Sequence, residues 1–342
     1  MSAARRALGS AALLLCSWLT HLHALDVETI RADGGLPPHI AGAFEEPAGF
    51  EQSRNGTYYV FDRRRHSVHV VGRNMAASRT LVDIGQEDGR IIQPSGFAVA
   101  ADGRFVVTDV PRRRQRIQTF DATGARLGGF ELPGQPAARI VLGTVMLNGA
   151  GTAQLTERGL LLSHPESGAL FTEYSHAGYP LASVGQLRST GFETDRDLHI
   201  AMNAGLPLVD PTGGFYYVFI TGAPVFRKYD ASGRLLFERL MQGREMDDLL
   251  ARQPTTWPRR QRLDTQVPLV TPIVRAAAVN SRGELWVSLA VPFTYVFDAS
   301  GDKTRTVQFQ AGGLVTPTSL AFSPDGRLLV TPGCFAFVVA PR

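Results

Sequence analysis

A short pattern of strand-forming residues around a glycine turn recurs along this chain of 342 residues. The clearest copies are PSGFAVAADGRFVVTD from Pro94 and PTSLAFSPDGRLLVTP from Pro317, and a close relative begins at Pro47. Tight hairpin turns need positive φ, which glycine adopts without a Cβ clash, so the turn glycines mark the register of the repeat. They are Gly56, Gly103, Gly159, Gly214, Gly283 and Gly326, with spacings of 47, 56, 55, 69 and 43 residues.

Each copy has room for four strands, and six four-stranded units at this period predict an all-β fold, a six-bladed β-propeller. The last unit stops after three strands. The alternating segment LDVETIRA, Leu25 to Ala32, is therefore predicted to supply the missing outer strand and close the ring. A β-sandwich with appendages is the alternative, but it explains neither the six turns nor this N-terminal strand.

The first 24 residues differ in composition from the repeats. Arg5 and Arg6 precede an apolar run that ends near Ala24, which predicts a signal peptide over 1–24 and the propeller over 25–342. A secreted or periplasmic protein is the expectation, and an uncleaved membrane anchor is the alternative. Without the two arginines the formal charge falls from +4 to +2, so total charge does not indicate a nucleic-acid or membrane partner.

The second unit resembles an NHL repeat through PSGFAVAADGRFVVTD followed by RIQTFDATGARLGGF. The whole mature chain resembles the secreted bacterial six-bladed propellers related to that group, in which binding, scaffolding and enzymatic functions all occur. Arg116 stands where the NHL repeat carries its arginine, and the resemblance implies an ion pair with Asp109.

Two neighbouring units carry basic loops between their second and third strands. The loops are predicted to place Arg63, Arg64, Arg65, Arg112, Arg113 and Arg114 on one rim, named here the arginine rim. Clustered guanidiniums recognise carboxylate, sulfate or phosphate groups, which predicts an anionic protein or polymer as partner and disfavours nucleic acid for an exported protein. The alternative is that these arginines only keep an exposed loop soluble.

A long insertion near 242–270 separates the fourth and fifth units. It has helical character in REMDDLLARQ, and then Trp257 stands between Pro254 and Pro258. Long insertions on a propeller rim are often elements that bind partners, so Trp257 is predicted to join the arginine rim as a binding residue.

A rival function is suggested by the residues eleven positions before three of the turn glycines. These are Glu45, Asn148 and Asn203, whose oxygens suit Ca²⁺ or another divalent metal. Glu45–Pro47 is similar to the entry motif of gluconolactonase-like propellers, a resemblance that implies a metal-dependent lactonase or hydrolase. The other ligand motifs of that group are missing. No catalytic motif is recognised, so a binding or scaffold function is favoured over catalysis.

Overall fold

The computed structural model describes residues 27–133, 138–142, 145–148, 153–262 and 265–340. The predicted signal peptide, residues 1–24, lies outside them. Within the described ranges, no helix combines the length and apolar character needed to cross a membrane.

Most of the described strands belong to six sheets, each with at least four strands. The first blade contains Pro47–Gln52, Tyr58–Asp62, Ser67–Val71 and Ser78–Val82; the second contains Gly96–Val99, Phe105–Asp109, Arg116–Phe120 and Arg126–Glu131; the third contains Ala153–Leu155, Gly159–Ser163, Ala169–Ser175 and Pro180–Gln186. The fourth blade contains Gly205–Val209, Phe215–Phe219, Val225–Tyr229 and Leu235–Leu240; the fifth contains Val274–Val279, Leu285–Leu289, Thr294–Phe297 and Lys303–Gln310; the sixth contains Ser319–Phe322, Leu328–Thr331 and Phe335–Phe337.

The first strands of the blades form a closed ring. Each contacts the first strand of the next blade, and Ser319–Phe322 of the sixth blade contacts Pro47–Gln52 of the first. The hydrophobic core lies between neighbouring blades. Between the first two, for example, Tyr59 packs against Phe105, and Phe105 stacks on Phe120 with ring centroids 5.0 Å apart. The predicted six-bladed propeller is confirmed.

The turn glycines are placed where the backbone requires them. Gly103 has φ of 90°, and the turn around it closes with the N–H of Ala100 donating to the carbonyl of Arg104 at 2.7 Å. A Cβ at Gly103 would meet the Tyr59 hydroxyl of the preceding blade. Glycine is therefore needed both for the turn and for the close approach of two blades.

An N-terminal strand completes the last blade, but it is not the predicted one. Gly34–Gly35 pairs with Phe335–Phe337 in the sixth blade, whereas Val27–Arg31 runs parallel to Lys303–Gln310 as a fifth strand of the fifth blade. The chain passes from one sheet to the other between two consecutive residues. The N–H of Ala32 donates to the carbonyl of Gln310 in the fifth blade, and the N–H of Asp33 donates to the carbonyl of Ala336 in the sixth. The expectation for Leu25 to Ala32 was wrong, because the edge of the fifth blade offers this segment a longer partner.

The remaining elements lie in connections between blades or in loops within a blade. They are the helices Pro38–Ala41, Arg196–Met202 and Asp247–Ala251, the 3-10 turns Pro111–Arg113, Pro165–Ser167 and Arg244–Met246, and two hairpins, Ala138–Leu142 with Val145–Asn148 and Arg259–Arg262 with Thr265–Pro268. Arg196–Met202 contacts Ala138–Leu142 and Thr265–Pro268. Three successive connections between blades therefore pack against one another.

Candidate functional site: the entry face and the central cavity

The face on which the chain enters each first strand is called here the entry face. The first three strands of every blade alternate in direction, so the loops between second and third strands open on this same face. The loops of the arginine rim, residues 63–66 and 110–115, therefore lie on one face with Glu45 and Glu46.

In the first blade the arginines of the rim are paired with glutamates. Arg63 forms an ion pair with Glu46, while Arg64 and Arg65 contact Glu45 at 3.4 and 3.0 Å. Surface pairs of this kind contribute little stability, but they cancel charge locally. The first-blade half of the predicted basic surface is thus largely neutralised.

A buried carboxylate holds these pairs in place. Asp62 is fully buried and accepts the backbone N–H of Glu45 at 2.7 Å, of Glu46 at 3.1 Å and of Arg65 at 3.2 Å. It therefore ties the loop that enters the blade to the loop between its second and third strands. The glutamates and arginines meet because their backbones share one anchor.

In the second blade two arginines remain exposed and unpaired. Arg112 and Arg113 have φ of 49° and 65°, the left-handed region, and neither has an ion pair within the part of the chain that the structure describes. Arg114 pairs with Glu131 at 3.1 Å. Pro111 is buried and anchors the 3-10 turn Pro111–Arg113 that presents the two side chains.

Arg116 is structural, as the resemblance implied. It is 5% exposed, and its guanidinium donates to Asp109 from Nε at 2.9 Å and from Nη2 at 2.7 Å. It also donates to the carbonyls of Gln86 and Arg90. Asp109 in turn accepts the N–H of Ile92 at 2.9 Å, so the pair joins the entering loop to the blade.

The three residues predicted to bind a metal are not brought together as a ligand set. Glu45 is engaged by Arg64 and Arg65. Asn203 is fully buried at the end of the helix Arg196–Met202; its Oδ1 accepts the N–H of Arg188 at 2.9 Å and its Nδ2 donates to Arg188 and His199. Asn148 ends a hairpin strand, and its side chain lies outside the described part.

Glu45 and Asn203 are therefore already engaged by other groups of the protein. Among the described residues no three His, Cys, Asp or Glu side chains lie close enough together to hold an ion. A calcium-like site needs several oxygen ligands around one point, and here the oxygen of Asn203 is already used by the backbone.

Trp257 is not an exposed binding residue, which corrects the prediction made for it. It is 8% exposed and packs with Leu198, Met202 and Val270. Tryptophan buries a large apolar area wherever a surface is offered, and here the helix Arg196–Met202 offers it. Trp257 therefore anchors the insertion to the propeller, and the insertion docks near this helix.

A central cavity of about 390 Å³ is lined by the first strands of all six blades. Its wall is more apolar than polar, and Ala48, Phe97 and Ala321 are among its partly exposed residues. The carboxylate of Glu51 also lines it and accepts the N–H of Val99 at 2.9 Å. Burial raises the pKa of Glu51 from 4.5 to about 7.

Arg275 contributes a cation to the same cavity. It stands at a bulge between Val274 and Ala276, where the register of the first strand of the fifth blade shifts. Its Nε is buried without a hydrogen-bond partner, and none of the described residues forms an ion pair with its guanidinium. Sequence reasoning missed Arg275, although a lone charge within IVRAAAV was the available signal.

Comparison with known proteins supports the fold. The NHL repeat model matches residues 92–120, which include the buried Arg116–Asp109 pair. A search of curated proteins finds no match. A streptogramin B lyase is similar in structure with a TM-score of 0.51 at 12% identity, over 85% of this chain and 92% of that one.

Two further solved structures have the same architecture. One is a catalytically inactive virginiamycin B lyase from Staphylococcus aureus with quinupristin, with a TM-score of 0.52 at 10% identity over 84% of this chain and 77% of that one. The other is the calcium-binding protein regucalcin from Agrobacterium tumefaciens strain C58, with a TM-score of 0.50 at 12% identity over 91% and 94%. The chain is a six-bladed β-propeller with an NHL repeat in its second blade.

Proposed function

We propose that this propeller is a binding module that recognises an anionic partner on its entry face, with Arg112 and Arg113 as the principal contacts. The observation that carries the proposal is that these two guanidiniums are exposed and unpaired among the described residues, while the other four arginines of the rim have glutamate partners. A free exposed guanidinium keeps its full capacity to donate paired hydrogen bonds.

The charge balance of the arginine rim supports an anionic partner. Six arginines face three paired glutamates, Glu45, Glu46 and Glu131, which leaves a formal charge of +3 on these side chains. Three arginines and two glutamates give +1 in the first blade, and three arginines and one glutamate give +2 in the second. The attraction is therefore centred on the second-blade loop.

The backbone of that loop supports preorganised presentation. Two consecutive non-glycine residues in the left-handed region cost conformational energy, and such strain persists only where the surroundings impose it. Arginine forks match carboxylate, sulfate and phosphate groups, and the predicted export of the protein favours an acidic protein or polysaccharide. Held this way, the backbone of the loop loses less conformational entropy on binding.

The test replaces both arginines by asparagine, Arg112→Asn with Arg113→Asn, because asparagine tolerates positive φ. Retention is measured on immobilised heparin and on immobilised polyaspartate as salt is raised. We expect the variant to bind at least about tenfold more weakly than the parent at low salt, since each charge-assisted hydrogen bond contributes about 1.5–3 kcal/mol.

The matched control removes two arginines from the opposite face. Arg104 and Arg234 are exposed residues of turns at the other ends of the strands, and each pairs locally with an aspartate. Arg104→Asn with Arg234→Asn loses the same charge and should keep retention near that of the parent. Equal weakening of both variants would mean that only total charge matters, and the proposal would then be wrong.

A further inference from the structure

We propose that the central cavity binds a small organic monocarboxylate with an apolar body, whose carboxylate pairs with the guanidinium of Arg275. The cavity also reaches Glu45, Glu46 and Arg63 on the entry face, but Arg112 and Arg113 do not line it, so this proposal does not depend on the function proposed for those two arginines. The proposal stands on the unpartnered cation, on the shape of its strand and on the lining of the cavity.

The position of Arg275 in the repeat is the first argument. It lies eight residues before the turn glycine Gly283. The same count in the first, second and sixth blades gives Ala48, Ser95 and Thr318, and all of these residues line the cavity with Arg275. The equivalent residue of the third blade lies outside the described ranges. The fifth blade thus introduces a guanidinium where three other blades carry small or hydroxyl side chains.

The bulge at Arg275 is the second argument. A bulge places an extra residue in one strand and redirects its side chain. The first strand of the first blade shifts register in the same way between Pro47 and Gly49, where the extra residue is Ala48. The first and fifth blades therefore share this bulge, and only the fifth blade places a charged residue there.

The cost of the arrangement is the third argument. A polar group that is buried without a partner destabilises the folded state, and more so when the group is charged. The Nε of Arg275 is such a group. Its burial serves no contact among the described residues, whereas a ligand carboxylate would satisfy it with two parallel hydrogen bonds.

The lining of the cavity defines the rest of the ligand. Pro47, Ala48, Phe97 and Ala321 line the cavity, are partly exposed and offer apolar surface for an aromatic or branched body. A volume of about 390 Å³ is within the range of small-molecule sites. Glu45 and Glu46 also line the cavity and would repel a second carboxylate on the ligand, so a monoanion fits better than a dianion. Inorganic phosphate lacks the apolar body and would need more than one cation.

The experiment titrates the full protein with phenylacetate, isovalerate and hexanoate by calorimetry. Phenylacetamide is the uncharged match for phenylacetate, and inorganic phosphate is the anion without a body. We expect at least one of the three acids to bind with one-to-one stoichiometry and at least tenfold more tightly than phenylacetamide or phosphate. Failure of all three acids, or equal binding of phenylacetate and phenylacetamide, would overturn the proposal.

Two variants assign the binding to Arg275. Arg275→Met should weaken the bound acid at least tenfold and raise the Tm of the ligand-free protein, because it removes a cation that has no partner. Arg282→Met is the control, since Arg282 lies in the turn beyond the same strand and pairs with Glu284; it should bind as the parent does. A lowered Tm with unchanged binding in Arg275→Met would show a structural arginine and contradict the proposal.

The rim variant separates the two proposals. Arg112→Asn with Arg113→Asn leaves the cavity intact and should bind the same acid with parental affinity. Loss of acid binding in that variant would place the carboxylate on the rim and overturn the assignment to Arg275. If that variant loses heparin retention but keeps acid binding, both the function proposed for the arginine rim and the assignment to Arg275 are supported.

Discussion

Equivalent aspartates in the first two blades hold the entry face together with different partners. Asp109 is opposite Arg116 in the pairing of the second and third strands, and the guanidinium occupies both of its oxygens. Asp62 is opposite Ser67 and instead accepts three backbone N–H groups. A buried carboxylate needs such partners, and either set satisfies it. The same residue therefore has the same anchoring role in both blades.

Glu51 gives a prediction for the pH dependence of stability. Its pKa is raised to about 7 by burial, so between pH 4.5 and 7 the folded protein holds a proton that the unfolded chain has lost. The stability that Glu51 contributes is complete below pH 4.5 and is lost as pH rises through 7. Glu51→Gln cannot ionise and should be more stable than the parent above pH 7, by about 1–3 kcal/mol.

Urea unfolding at a series of pH values measures this difference. The free energy of unfolding of Glu51→Gln minus that of the parent should grow between pH 4.5 and 7 and stay constant above. Glu157→Gln is the control, because Glu157 is exposed, and it should give a flat difference. A flat difference for Glu51→Gln as well would show that this carboxyl titrates normally.

At the scale of elements, the insertion between the fourth and fifth blades is docked at both of its ends. Tyr295 of the fifth blade donates to Glu245 at 2.7 Å near its start. Trp257 packs under the helix Arg196–Met202 further along, and Arg259 pairs with Asp195 beside this helix. The insertion thus packs on the fifth blade near its start and on the connection between the third and fourth blades further along.

Trp257→Ala should release the insertion while the propeller stays folded. Loss of a buried tryptophan costs about 3–5 kcal/mol, and the opening of a single docked segment would take most of that cost. We expect limited proteolysis to cut within 242–262 at least about 100-fold faster than in the parent, with the blades protected.

Leu250→Ala is the matched control for this measurement. Leu250 belongs to the same insertion but is 37% exposed, so its truncation removes little packing. Its cleavage rate should stay near that of the parent. Unchanged cleavage in Trp257→Ala would mean that other contacts hold the insertion.

At the scale of the whole molecule, two short N-terminal strands fasten the ring. Val27–Arg31 binds the fifth blade, where Glu28 accepts from Nε and Nη2 of Arg305 at 2.8 Å each. Gly34–Gly35 binds the sixth blade. Leu36 and Phe44 then pack between the sixth and first blades. One stretch of chain therefore joins three blades around the point of closure.

Gly35→Ala tests this closure. Gly35 has φ of 128°, and a Cβ there would meet the carbonyl oxygen of Cys334 and the Cα of Phe335. Neither backbone atom can move without opening the sixth blade, so we expect a loss of about 2 kcal/mol or more in the free energy of unfolding. Relative to the parent, hydrogen exchange in Gly35→Ala should increase most at the backbone N–H groups of Phe335–Phe337.

Gly312→Ala is the control, because a Cβ at Gly312 would meet no atom within 4 Å. It should leave the free energy of unfolding close to that of the parent. If Gly35→Ala were equally mild, closure by Gly34–Gly35 would contribute little to stability.

Several features of this protein follow from its sequence alone. The turn glycines and the strand runs between them predict six blades, because the φ of a turn and the alternation of a strand depend on neighbouring residues. The Arg116–Asp109 pair follows from resemblance to the NHL repeat. The common face of the two basic loops follows from strand direction, once the blades are placed.

Other features were decided only by contacts between distant parts of the chain. Glu45 and Glu46 pair with Arg63, Arg64 and Arg65 because Asp62 holds the two loops together. The helix Arg196–Met202 buries Trp257, and closure of the ring places Arg275 in a cavity shared by all six blades. Ion pairing, burial and cavity lining depend on which distant segments come into contact in three dimensions. The spacing of residues within one blade does not predict those contacts.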